Sequence, residues 1–242
     1  MMRLSITFLL LLTTFSLSAQ DKLVPSQKNG TEKWIKNEQF QMKWYALKDT
    51  SKFEIGTVTN RILLDKEKVM VITEVGMKQM QGTWVDTTVA FRKDLKPLYH
   101  SSFNPQRDMV LRFGDTVTGF YNDKIKKLKT DINEVSKAGY FDGNLYPTLL
   151  RWLPLKEGYQ QEISIFEYNS AGKRGVISAS VKEVKKGTYQ SQKSGLRKVW
   201  VLSVSDEISG MLSNYYIDEL DRRLWKQELE AGTRKMLMQR VE

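Results

Sequence analysis

The sequence has no cysteine, one histidine, five prolines and 15 glycines in 242 residues. Without cysteine there is no thiol catalysis, no disulfide framework and no Cys/His zinc site, and a lone imidazole excludes any device that needs two. The low proline and glycine contents exclude collagen-like and low-complexity chains. Phosphate-cradling glycine loops are also missing, because Gly172, Gly175 and Gly210 lack the lysine and the following helix that such loops use. Calcium loops and histidine tracts are absent too. The nearest acidic cluster, Asp218, Glu219 and Asp221, lies between Ile217 and Leu224 and reads as a hairpin turn, so neither a metal site nor a cofactor is expected. The ten methionines are scattered and read as core filler in preference to soft-metal ligands.

Only one stretch is continuously apolar, Leu4 to Phe15, behind Met1-Met2-Arg3 and ahead of the small residues Ser16 to Ala19. At about twelve residues it is too short to span a bilayer, which takes roughly twenty. It reads as an export signal over 1–20 cleaved after Gln20, with no cysteine at the cut to carry a lipid. The product is then expected to be exported, periplasmic or extracellular, with no transmembrane segment in the mature chain. Lys plus Arg number 38 against 28 Asp plus Glu, a formal charge of +10, and Arg3 lies in the signal. Such a surface suits an anionic membrane or glycan; in an exported protein nucleic acid is not an expected partner.

From Thr31 onward, short alternating runs recur between turn signals. Eight candidate strands come first: Trp34 to Leu47, Phe53 to Leu64, Val69 to Met77, Thr83 to Arg92, Pro97 to Phe103, Asp108 to Phe113, Thr116 to Tyr121 and Lys126 to Ile132. After Phe141-Asp142-Gly143-Asn144 the spacing of Leu145, Leu149, Trp152 and Leu153 predicts one short helix over 145–153, with Asn144 as N-cap, Pro147 in the first turn and Pro154 as its stop. Six more strands follow: Gln161 to Tyr168, Val176 to Lys185, Arg197 to Ser205, Ser213 to Ile217, Leu224 to Leu229 and Lys235 to Val241. Turns are read at Asn169 to Gly172, Lys185 to Gly187 and Asp218 to Asp221.

No linker divides this pattern, so 21–242 is expected to be a single β-rich domain, loose over 21–30. The fold class is mainly β: a large curved antiparallel sheet or unclosed barrel in meander order, with one central helix. About fourteen strands are too many for a flat sheet. Val199-Trp200-Val201-Leu202 is apolar on both faces, so that part of the sheet should be covered on both sides, with the helix as cover.

For catalysis the only imidazole is His100, in Tyr99-His100-Ser101-Ser102. Ser102 would share its strand face, but no sharp elbow presents a nucleophile, and the residue reads as a half-exposed strand histidine. The chain is therefore not expected to be an enzyme. The aromatic inventory is more suggestive. Trp44 and Trp200 on strands, with Leu149 and Trp152 on the helix, are the candidate residues for holding an apolar ligand in the concave side of the sheet.

Around the helix and after it, Phe141-Asp142-Gly143-Asn144-Leu145, Leu149 to Gly158, Lys198 to Leu202, Tyr215-Tyr216-Ile217-Asp218 and Arg222 to Glu228 resemble an exported family catalogued as domain of unknown function 3108. That family in turn is similar to the lipoprotein-localisation carriers LolA and LolB, unclosed antiparallel barrels covered by helices. The resemblance implies a pocket for a lipid, acyl chain or other apolar ligand, and no catalytic residues. The leading expectation is thus an apolar-ligand binding protein of the cell envelope. The alternative is a non-catalytic interaction or structural protein with a filled core, docking on another envelope protein; a glycan-acting enzyme is third.

Overall fold

A computed structural model of the chain describes residues 21–25, 31–136, 138–170 and 172–242. The expected export signal over 1–20, and 26–30 of the expected loose stretch, lie outside the described residues. A 3-10 turn, Glu32–Trp34, leads into eight strands: β1 Glu38–Lys48, β2 Ser51–Leu64, β3 Lys68–Met77, β4 Thr83–Phe91, β5 Pro97–Phe103, β6 Arg107–Arg112, β7 Thr116–Asp123 and β8 Leu128–Val135. A two-residue strand, β9 Phe141–Asp142, precedes the helix α1 Tyr146–Trp152. Six strands complete the chain: β10 Gln161–Tyr168, β11 Arg174–Ser191, β12 Gly195–Asp206, β13 Leu212–Asp218, β14 Leu224–Ala231 and β15 Arg234–Arg240.

All fifteen strands belong to one sheet, in the order β8-β7-β6-β5-β4-β3-β2-β1-β15-β14-β13-β12-β11-β10-β9. Apart from β8 and β9, strands that follow one another in sequence pair, and one long-range pairing joins the two meanders: β1 against β15, from Met42↔Arg240 to Leu47↔Lys235. Short hairpin connections make this order the one with the least loop-closure cost. The two edges, β8 and β9, do not pair, so the barrel is unclosed, as the sequence predicts. Register shifts at Trp44/Tyr45, Val89/Ala90, Val181/Glu183 and Tyr216/Ile217 bend the sheet. Side chains complete the circuit where backbone pairing does not. Tyr140, Phe166 and Tyr168 beside the β9 edge pack with Met109, Leu111, Val117 and Ile132 of β6 to β8.

Four local readings need correction. The lysines at 185 and 186 with Gly187 do not turn; β11 runs straight through them for 18 residues, with Gly187 opposite Val199. A Cβ on Gly187 would sit 2.8 Å from Val201 Cγ2, so this glycine permits a close approach within a strand. Trp34 ends a 3-10 turn and does not begin the first strand. Asn144 is not the helix cap: Leu145 holds that position, and the Asn144 amide donates to Thr88 Oγ1 at 3.0 Å. The strand β9 is additional, and its pairing with β10 is parallel. Pro147 sits in the first turn of α1 and the chain turns extended at Leu153, ahead of Pro154, as expected.

The main core lies beneath α1. Leu145, Leu149, Leu150, Trp152 and Leu153 pack with Phe141, Ile163, Ile165, Leu202 and Ile217, all at or near zero exposure. The Asp218 turn is a second anchor. Arg197 donates to both carboxylate oxygens of Asp218, at 2.9 and 3.1 Å, and Trp225 Nε1 donates at 2.9 Å. The amides of Leu220 and Asp221 also donate to it, so this acidic cluster is the turn that was expected.

Candidate functional site: the interior of the unclosed barrel

Two adjoining cavities occupy the part of the interior that α1 does not fill. The first, about 320 Å³, lies between the inner faces of β1 to β3 and β13 to β15 and is roofed by the N-terminal turn of α1. Phe40, Met42, Val58, Leu229 and Met238 form its apolar wall, and Tyr146, Pro147 and Arg151 come from the helix. The second, about 580 Å³, lies towards β3 to β7 and is bounded by Trp44, Val75, Met77, Met80, Trp84 and Met109. Gly143, Asn144 and Ile208 border both. These volumes lie within the range of small-molecule sites, roughly 300–1,000 Å³.

Methionine marks this space. Met42, Met211 and Met238 line the first cavity and Met77, Met80 and Met109 the second, whereas the sealed core under the helix is built almost wholly of Leu, Ile, Val and aromatic side chains. Met42 and Met109 are core residues as well, as the filler reading expects. An unbranched, polarizable side chain re-packs around occupants of different shape.

The four sequence-predicted ligand residues are divided by the fold. Trp44 borders the second cavity, and its buried indole nitrogen has no hydrogen-bond partner. Leu149 is 0%, Trp152 1% and Trp200 8% exposed, and all three belong to the sealed core, bordering neither cavity. On α1 the residues that meet the first cavity are instead Tyr146, Pro147, Thr148 and Arg151.

A polar wall closes the second cavity. His100, expected to be half-exposed, is buried, and its Nδ1 lies 2.9 Å from Asp142 Oδ2. The Thr88 hydroxyl donates to the same oxygen in a short contact. Burial opposes charge on His100, but the Asp142 carboxylate and its hydrogen bond outweigh it and raise the imidazole pKa. Beside them stands Glu167, half-buried, its pKa pushed up to about 7 by desolvation and by the Asp142 charge, against attraction from His100 and Arg107. Gly143 is held against this group: a Cβ there would come 2.5 Å from Glu167 Oε2. On the same face of β5, Ser102 Oγ accepts from Trp84 Nε1 at 3.1 Å and from Arg107 Nη2 at 3.2 Å. Among the described residues no cluster of three His, Asp or Glu has the arrangement of a metal site.

Behind the first cavity, Arg151 of its wall belongs to a second ionic cluster. Glu38 accepts from Arg151 Nη2 at 2.5 Å and from Arg240 Nη2 at 3.1 Å, and Arg151 Nε donates to the Arg222 carbonyl at 2.8 Å. Burial works against the Glu38 charge, but the two guanidiniums outweigh it and lower its pKa. Both guanidiniums also stand over the Phe40 ring, 5.2 Å from its centroid for Arg151 and 4.5 Å for Arg240. Glu38, Arg151, Arg222 and Arg240 lie far apart in sequence, so no local motif could have announced the cluster.

Comparison with known proteins agrees with this architecture. A solved β-barrel-like protein of domain of unknown function DUF1849 from Brucella abortus superposes with a TM-score of 0.52 at 14% identity, covering 91% of this chain and 97% of that one. At that identity the likeness speaks for the fold alone. No curated protein matches the sequence. No helix among the described residues is long and apolar enough to cross a membrane. The family model for the protein of unknown function DUF3108 matches residues 39–239, nearly the whole sheet, and the chain belongs to that family.

Proposed function

We propose that this is an exported, non-catalytic binding protein that holds a lipid, acyl chain or similar apolar ligand inside its unclosed barrel. The observation that carries the reading is the pair of adjoining cavities, each lined in part by methionine, inside the curve of the sheet. Burying 100 Å² of ligand hydrocarbon there contributes about 2.5 kcal/mol before association costs. In this reading His100 and Asp142 are structural, tying β5 to β9 across the gap between the meanders. The resemblance to lipoprotein-localisation carriers and the apolar leader over 1–20 support the export and the ligand class. The basic surface suits an anionic membrane or glycan as the place of exchange.

The test is native mass spectrometry of the Asp21 to Glu242 chain isolated from its native envelope fraction, followed by organic extraction. A lipid at near-stoichiometric amount is the expected result. An apo mass that does not change when lipid is added overturns the reading. That result would leave an interaction protein, a reading favoured by the complete burial of Leu149 and Trp152.

A further inference from the structure

Three arginines, Arg151, Arg222 and Arg240, cluster behind one end of the first cavity, and Arg151 reaches its wall. Arg151 is 3% exposed and Arg222 6%, and the Arg240 side chain is 10% exposed; Glu38 is the counter-ion that Arg151 and Arg240 share, and Glu219 is the carboxylate nearest in effect to Arg222. Arg222 stands over the Trp34 ring at 4.5 Å without an ion pair to Glu38. Among the described residues, five buried side-chain nitrogens have no hydrogen-bond partner, and three are guanidinium nitrogens of this cluster: Arg151 Nη1, Arg222 Nε and Arg222 Nη1. Leaving a buried donor unmade is expensive, more so for a charged group, and buried positive charge in excess of its partners is more expensive still. Such an arrangement favours an anion that supplies the missing acceptors.

The placement says which kind of anion. Arg151 is itself part of the cavity wall; part of that wall is polar, with the Asp206 carboxylate, Thr73 and Gln227, and its larger part is hydrocarbon and thioether, from Phe40, Met42, Val58 and Met238. A small hydrophilic anion would strand this apolar surface. An oxyanion attached to a chain satisfies both ends.

We propose that the first cavity is the site of a long-chain carboxylate, with its head on Arg151 and its chain along Met42, Val58 and Met238. This rests on the apolar-ligand reading and specifies its ligand. The guanidinium is already oriented by Glu38 and by the Arg222 carbonyl, which leaves Nη1 as the donor for a carboxylate oxygen.

The experiment compares dodecanoate with 1-dodecanol, the same chain without the charge, by displacement of an apolar fluorophore from the Asp21 to Glu242 chain at pH 8. Dodecanoate is expected to bind about tenfold tighter or better, the scale of a hydrogen bond to a charged group. Arg151→Met should erase that preference while leaving the alcohol bound. Because Arg151 also supports Glu38 and Arg222, Glu38→Gln provides a second route that keeps the guanidinium. Removing the competing carboxylate should tighten dodecanoate roughly threefold and leave dodecanol unchanged. Equal affinity for acid and alcohol in the native protein, or a loss on Glu38→Gln, overturns the carboxylate site while sparing the apolar cavity. Failure of both ligands to displace the fluorophore at saturation overturns the cavity reading itself.

Discussion

The two parts of the interior differ in how completely they are filled, and the difference separates a sealed core from a candidate site. Under α1 the branched and aromatic residues Leu149, Leu150, Phe141, Ile163 and Ile165 exclude solvent completely. Such side chains have few rotamers and define one packing. Beyond the opposite face of the same helix the wall passes to methionine, and space remains. Side-chain type alone does not draw the boundary, since Phe40, Tyr215, Trp44 and Trp84 line the cavities beside the methionines; what separates the regions is whether space remains. Seven residues of helix serve both purposes, because Leu149 and Trp152 point one way while Tyr146 and Arg151 border the cavity.

The sharpest way to break this distinction is truncation on each side. Trp152→Ala should cost about 3–5 kcal/mol in urea unfolding, the ordinary range for removing a sealed aromatic. Met238→Ala, at a half-buried cavity wall, should cost about 1 kcal/mol. Affinity for an apolar probe should respond in the opposite order: weakened by Met238→Ala and unchanged by Trp152→Ala at temperatures where that variant remains folded. Equal stability losses would mean that the two regions are one core.

The polar wall offers a second, smaller contrast. Glu167 keeps its proton to about pH 7 in the folded chain against an ordinary value of 4.5. Between those limits the native state binds more protons than the unfolded state, so stability falls as pH rises through the window. His100 adds the same sign. Its pKa is raised, so its contribution is complete below its ordinary value of 6.5 and is lost as pH climbs through the raised one. The Glu167 share of the loss between pH 5 and pH 8 should be on the order of 1–3 kcal/mol, held to that range because the residue is half-buried. Glu167→Gln should flatten most of the slope in urea midpoints taken at pH 5, 6, 7 and 8. A native profile that rises over this range would remove Glu167 from the buried network. The Asp218 turn behaves oppositely. There, hydrogen bonds from Arg197 and Trp225 outweigh desolvation and lower the carboxyl pKa, so its support persists above the ordinary carboxylate range and is lost only in acid.

What could be read from the sequence follows from how local each feature is. Alternation and turn residues located the meander, because every hairpin is settled by neighbours in sequence, and helical spacing with Pro147 and Pro154 located α1. The strand through Lys185 to Gly187 was hidden because a glycine admitting Val201 and a glycine making a turn look alike in sequence. The site was less legible. His100 meets Asp142 across 42 residues, Glu38 meets Arg151 across 113, and Arg240 meets Glu38 across 202. These pairs exist only because β1 joins β15 and because the β9 edge rolls onto β5, neither of which has a local signature. Of the aromatic candidates, Trp44 borders a cavity while Trp152 and Trp200 lie in the core, since large rings are as useful for sealing a barrel as for lining it.

The finest test adds volume in place of removing it. Val58 borders the first cavity and Leu149 lies in the sealed core, so the same aromatic side chain should meet space at one and contact at the other. Val58→Phe should change stability by less than about 1 kcal/mol, since the ring replaces emptiness and strains little, while Leu149→Phe should lose about 1–3 kcal/mol through overpacking. Binding supplies the second coordinate. Val58→Phe should weaken an apolar probe roughly tenfold by occupying its place, and Leu149→Phe should not move the affinity. A Val58→Phe protein that is as destabilised as Leu149→Phe, and still binds the probe normally, would show that the space beside Val58 closes in solution and that any ligand lies in the second cavity, against Trp44 and Met109.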